Sequence, residues 1–246
     1  MEGTHRRWDG LDTLRGLTLL SMIAYHGCWD LVSLGAPWRW YDSYGAYLWQ
    51  QSICWTFLLL SGFCFHLGRH RLRRGLLSFG GGLLVSAVTV LLMPEDRIFF
   101  GVLSLLGSAA LLTIPLDGLF RRVPARLGLA GSFGLFLLTR LVPGGALGFG
   151  GTVLAYLPAR LYRNDLTACL GFPPPGFFST DYFPLLPWLF LFWTGYFLYR
   201  LWPERERPAL RLPVVTAMGR HSLLIYLLHQ PLLYGVALLW SALARW

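Results

Sequence analysis

Residues 11–33, LDTLRGLTLLSMIAYHGCWDLVS, are apolar enough to cross a bilayer, yet they include Asp12, Arg15, His26 and Asp30. A charge near the centre of a membrane costs at least about 2.5–3.5 kcal/mol on insertion scales, so such groups face the interior of a bundle. A helix carrying all four needs protein neighbours along one side. Helical periodicity says which side. At about 100° per residue, the steps from Arg15 to His26 end roughly 20° beyond three full turns, and Asp12 and Asp30 share an azimuth in the same way. All four side chains lie on one stripe. A cation sits near one membrane face, and a titratable imidazole sits roughly 16 Å further along the axis.

The rest of the chain supplies the neighbours. Of 246 residues, 55% are hydrophobic and 13% charged. That composition excludes an ordinary soluble domain and predicts an all-α fold, a polytopic transmembrane helical bundle. About seven spans are expected, at 11–33, 46–67, 75–93, 98–116, 127–142, 183–202 and 217–243, forming one membrane domain over residues 1–246. The basic start of the chain precedes a run that holds charges and lacks a small-residue cleavage site, so the first span is expected to stay uncleaved. Trp38, Trp40, Tyr41 and Tyr44 read as an interfacial belt. Gly80-Gly81-Gly82 would let a neighbouring helix approach closely. Between Pro143 and Asp181 the chain turns Gly- and Pro-rich. This predicts a long outer loop before the sixth span, with its short apolar piece at about 152–161 as an interfacial or re-entrant helix.

All 21 basic residues are arginines, and the net charge is +9. They flank the apolar runs instead of forming one patch, which argues against nucleic acid as a partner. With the N-terminus in the cytoplasm, fifteen arginines fall inside and five outside, counting Arg6, Arg7, Arg205 and Arg207 inside and Arg245 outside. That bias fits the positive-inside rule. An eighth span at about 145–162 would weaken it. The cysteines (Cys28, Cys54, Cys64 and Cys169) form no C-x-x-C pattern, so no metal site is expected. Cys28 and Cys54 read as small apolar side chains in preference to a disulfide.

Depth singles out a second histidine. His229 lies ten residues beyond Gly219, about 15 Å from the cytoplasmic face, the depth at which His26 is expected. Two imidazoles near the midplane suit general-base chemistry; the other reading is that each hydrogen-bonds a neighbouring helix and fixes packing. Arg15 and Asp12 make either an i,i+3 pair or, with His66, Arg69 and the rest of the 69–74 run, a site for a phosphate-bearing anion. That run also suits a topology signal or contact with anionic lipid. Asp181 and Tyr182, with Asp30, would make the outer mouth acidic; alternatively Asp181 caps the sixth helix. Arg140 either snorkels or pairs with Asp181 or Asp30.

Larger stretches carry a resemblance. Asp12-Thr13-Leu14-Arg15-Gly16, the Arg15–His26 spacing, IFFGVL at 98–103, STDYFPLLPW at 179–188 and GRHSLLIYLLHQP at 219–231 together resemble the bacterial branch of the heparan-α-glucosaminide N-acetyltransferase catalytic-domain-like family. The Arg-x10-His element also resembles that of the wider integral-membrane acyltransferases of cell-envelope sugars. The resemblance implies transmembrane acyl transfer in a bacterial inner membrane. Acetyl-CoA (or another acyl-CoA) would be the cytosolic co-substrate, and a hydroxyl or amine of an extracytoplasmic sugar or glycan the acceptor. It implies that Arg15 holds or orients the donor and that His26 acts in transfer. Relative to the lysosomal enzyme, the sequence is far shorter and shows no counterpart of its large lumenal N-terminal region, so a heparan substrate is not expected.

The residues are compatible with that chemistry. Phosphates at the arginine-rich face would let the pantetheine arm thread inward until the thioester meets His26, with His229 and Asp30 nearby. His26 would deprotonate the acceptor or be acylated first. Tyr226 or Tyr25 would donate to the thioester oxygen. A transporter of a small anionic or lipid-linked substrate is the runner-up, since buried charges also suit proton-coupled transport. An accessory membrane subunit, with the polar stripe as interhelical glue, is the third reading. The oligomeric state stays open, a homodimer included.

Overall fold

The computed structural model describes residues 8–202 and 210–244. Arg6, Arg7, Arg205, Arg207 and Arg245, which entered the orientation count, lie outside the described residues. The fold is mostly helical. Its helices are α1 (Asp9–Ser33), α2 (Tyr44–Phe63), α3 (Arg71–Leu92), α4 (Val102–Arg122), α5 (Ala125–Leu138), the single turn α6 (Asp165–Ala168), α7 (Leu185–Leu201), α8 (Pro213–Arg220) and α9 (Ser222–Ala244). Four stretches are long and apolar enough to cross a membrane by length and composition: Arg71–Leu92, Val102–Arg122, Ala125–Gly144 and Ser222–Leu243. Among the other long helices, α1 carries its charged stripe and α7 has only 17 residues.

The chain divides into two compact units. The first comprises α1, the start of α2, α8 and α9. Its core gathers Leu19, Met22 and Ile53, with Tyr25, Trp49, Phe57, Ile225 and Tyr226 packed against them. Helix α1 is embraced by α8 at its N-terminal end and by α9 beyond. The α1–α8 crossing is very close. A Cβ at Gly16 would overlap the carbonyl oxygen of Val215, and one at Gly219 would overlap that of Asp12. Small residues permit such approach, and in lipid the packing itself drives association. Thr13 and Thr216 hydrogen-bond across this crossing at 2.7 Å. Cys28 and Cys54 are not joined in a disulfide.

The second unit holds the end of α2, α3, α4, α5, α6 and α7. Helices α3 and α4 pair, as do α5 and α7. Of the glycine triplet, Gly81 and Gly82 are buried, and a Cβ at Gly82 would strike Ser104, whereas Gly80 faces open space. The triplet therefore serves the α3–α4 contact through part of its length.

Two segments differ from the sequence reading. The apolar piece after Pro143 is a two-stranded antiparallel hairpin, β1 (Ala146–Phe149) with β2 (Thr152–Tyr156), and not a helix. Gly150 and Gly151 form its two-residue turn with φ of 54° and 89°, the positive values such a turn requires. Val153, Tyr156 and Phe149 favour strands. The last apolar run also divides: α8 ends at Arg220, and α9 begins at Ser222 after a non-helical His221.

Candidate active site

The first unit builds a polar ladder between α1 and α9. Helical spacing puts His26 and Asp30 one turn apart on α1, while α9 supplies the consecutive residues His229 and Gln230. In the first rung, the His26 and His229 rings stand 5.1 Å apart between centroids, edge to face at 65°. In the second, the Gln230 Nε2 amide donates to Asp30 Oδ1 at 2.7 Å. Asp30 is wholly buried, and His229 is only 7% exposed.

The tautomer of His229 follows from its neighbour. Its Nδ1 lies 2.6 Å from the Tyr226 carbonyl oxygen, which can only accept, so Nδ1 carries the hydrogen. In the neutral ring Nε2 then holds a lone pair. That atom is buried and has no hydrogen-bond partner among the described residues. A lone pair held this way is what a general base or a nucleophile requires. Aromatic side chains enclose the rung. Tyr25 lies edge-on to His26 and to Trp49 and is tilted on Tyr41. Tyr226 lies beside His229, with ring centroids 5.3 Å apart. Trp49 Nε1 donates to Ser21 Oγ at 2.8 Å.

Roughly 16 Å along α1 from the histidines, charges gather where α8 crosses. Arg15 Nη1 bonds Asp12 Oδ1 at 3.0 Å, the i,i+3 pair. Arg220 reaches Asp9 at 2.7 Å and Asp12 at 3.6 Å, and Arg211 reaches Asp9 at 3.6 Å. Among the described residues, three guanidinium groups thus share two carboxylates at this end of the unit.

The other predicted residues belong to the second unit. His66 follows α2 and is stacked on Tyr199 at 4.5 Å and packed against Tyr196 at 4.2 Å. Arg69 is exposed, in a shallow hollow of about 620 Å³ with His70, Arg71, Arg73 and Ile114. Asp117 is the hub of this region. It accepts from Arg71 at 2.9 Å, from Arg121 at 3.0 Å and from the Tyr196 hydroxyl at 2.6 Å. Arg71 also lies over the Phe65 ring.

Asp181 caps a helix, but α4 and not the one that follows it: its Oδ2 accepts from Val102 N–H at 3.1 Å. Burial pushes this carboxyl up to about 6, against the downward pull of that N–H. The Tyr182 hydroxyl donates to the Ala168 carbonyl at 2.6 Å. Both residues therefore fasten the loop before α7 to neighbouring segments. Arg140 lies over the Phe136 and Trp188 rings.

Three participants were not singled out from the sequence. Gln230 stands next to His229 in the HQP run, but a neutral amide raises no alarm in a search for charges. Asp117 lies near the charged end of an apolar helix, where a carboxylate is unremarkable. Arg220 read as one more topology charge, although Gly219 beside it signals the close crossing that delivers it to Asp9 and Asp12.

The family model for heparan-α-glucosaminide N-acetyltransferase, catalytic, matches residues 7–231. No curated protein and no solved structure matches the chain.

Proposed function

This chain belongs to the heparan-α-glucosaminide N-acetyltransferase catalytic family, and from that premise we propose that it moves an acetyl group from acetyl-CoA to an amine or hydroxyl of an extracytoplasmic sugar. The observation that carries this reading is the His26–His229 rung, with the Nε2 lone pair of His229 buried and unpartnered among the described residues. The donor approaches from the cytoplasmic face, where Arg15 orients it. The acceptor approaches from the other face. We assign seven spans with the N-terminus in the cytoplasm of a bacterial cell and the Pro143–Asp181 segment outside, acting as one membrane domain.

The chemistry balances without a metal. An imidazole takes the acceptor's proton as its nitrogen or oxygen bonds the acetyl carbon; the carbon–sulfur bond of the thioester breaks, and the proton passes to the departing CoA sulfur. If an imidazole is acylated first, the carbon–sulfur bond breaks as the nitrogen bonds the acetyl carbon and CoA leaves as the thiolate; the acceptor then bonds that carbon, the bond to the imidazole nitrogen breaks, and the acceptor's proton ends on the CoA sulfur. Tyr226 or Tyr25 would donate to the thioester oxygen. A buried imidazole pair would also serve a proton relay; what favours transfer over transport is the family match over residues 7–231.

Purified protein is expected to transfer labelled acetyl from acetyl-CoA to glucosamine, and acetyl-CoA at about a hundred times its Kd should stabilise the fold by about 2.7 kcal/mol. Protein that is neither stabilised by acetyl-CoA nor able to label glucosamine would overturn the proposal.

A further inference from the structure

The second rung of the ladder has no role in the reaction as written above. Asp30 is wholly buried on α1, and the Gln230 amide nitrogen is committed to its Oδ1. Because a carboxylate accepts, the Gln230 amide must turn its NH₂ toward Asp30, and that fixes Oε1 as the end facing away. Oε1 is buried and has no hydrogen-bond partner among the described residues. One position earlier on α9, His229 Nε2 is left in the same condition by the bond from Nδ1 to the Tyr226 carbonyl. Two consecutive residues thus keep two acceptor atoms inside the bundle, each with its orientation fixed by its other end. A buried acceptor without a donor costs about 1–3 kcal/mol. Such a cost is retained where a ligand repays it.

We propose that Gln230 is a specificity-determining residue for the acceptor: Oε1 accepts a hydrogen bond from an N–H or O–H of the incoming sugar while His229 Nε2 faces its reacting group. Asp30 is the positioning residue that holds the amide in that orientation. The inference rests on the acetyltransferase reading and adds to it the means by which the acceptor is recognised. A site that hydrogen-bonds a polar group discriminates strongly against an analogue lacking it, since its own buried group is then left unpaired. The ligand it selects is therefore an amine or polyol carrying at least two donors close together, not an ether or ester. Cytosolic acetyl-CoA makes no use of this pair, so donor and acceptor terms should separate.

The test compares wild type, Gln230→Ala and Gln230→Glu, with labelled acetyl-CoA and glucosamine each varied at saturation of the other. Gln230→Ala is expected to raise KM for glucosamine at least about ten-fold with KM for acetyl-CoA little changed, and to lower the melting temperature because buried Asp30 loses this donor. Gln230→Glu keeps an acceptor oxygen but sets a carboxyl against Asp30, and two such groups share a proton. Its transfer should therefore recover as pH falls, which a merely structural role would not produce. His26, His229 and Tyr41 also lie within electrostatic reach of this region, so the profile is read against that of wild type. An unchanged glucosamine KM in Gln230→Ala, or equal rises in both KM values, would overturn the inference while leaving the transferase intact. Wild-type protein that transfers nothing would bring down the transferase reading, and this inference with it.

Discussion

His26→Ala is expected to lower kcat/KM for acetyl transfer by roughly 10²–10⁴-fold, the contribution typical of a positioned general base, while the protein still inserts and purifies. His229→Ala should fall in the same range, because the two rings meet at 5.1 Å. The double variant should be little worse than either single one, since groups acting as a unit are strongly non-additive. Steady-state rates of the three purified variants, with thermal melts alongside, check this. Activity retained in His26→Ala would remove the imidazole from the chemistry. Multiplicative losses in the double variant would show that the two histidines work independently.

The second large effect is on stability. Gly219→Ala should destabilise the folded protein by about 3 kcal/mol, at the upper end of the usual cost of overpacking. The new Cβ would overlap the backbone carbonyl of Asp12 and crowd the Gly16 nitrogen. Neither is the tip of a flexible side chain, so α8 must move away from α1. That displacement would also draw Arg220 off Asp9 and Asp12. Gly118→Ala, with nothing near its Cβ, is the matched control. Denaturation in detergent should separate the two variants clearly. Equal stability would mean that the crossing is looser than its geometry implies.

The parts of this molecule that could be read from the chain are those governed by local periodicity. The stripe on α1 follows from angle per residue, and the matched depth of His26 and His229 follows from rise per residue; neither depends on how α9 finds α1. The apolar runs located the long helices for the same reason. Tertiary pairing was hidden. Asp117 meets Arg71 across 46 residues, and nothing local to either side chain marks the partnership. The alternative reading of Asp181 makes it the cap of the next helix, but the N–H it accepts from belongs to Val102, 79 residues away. The hairpin at 146–156 escaped because a short apolar piece is compatible with strand or helix, and periodicity cannot decide over so few residues. The Gly150–Gly151 turn was its only clear signal.

The most direct measurement uses sealed vesicles of defined orientation, with glucosamine trapped inside and labelled acetyl-CoA supplied only on the face that carries the 69–74 arginines. Labelled N-acetylglucosamine should accumulate inside wild-type vesicles and not inside those bearing His26→Ala. Label that forms only in the donor's own compartment, or that accumulates equally with the variant, would contradict transfer through the interior of the bundle.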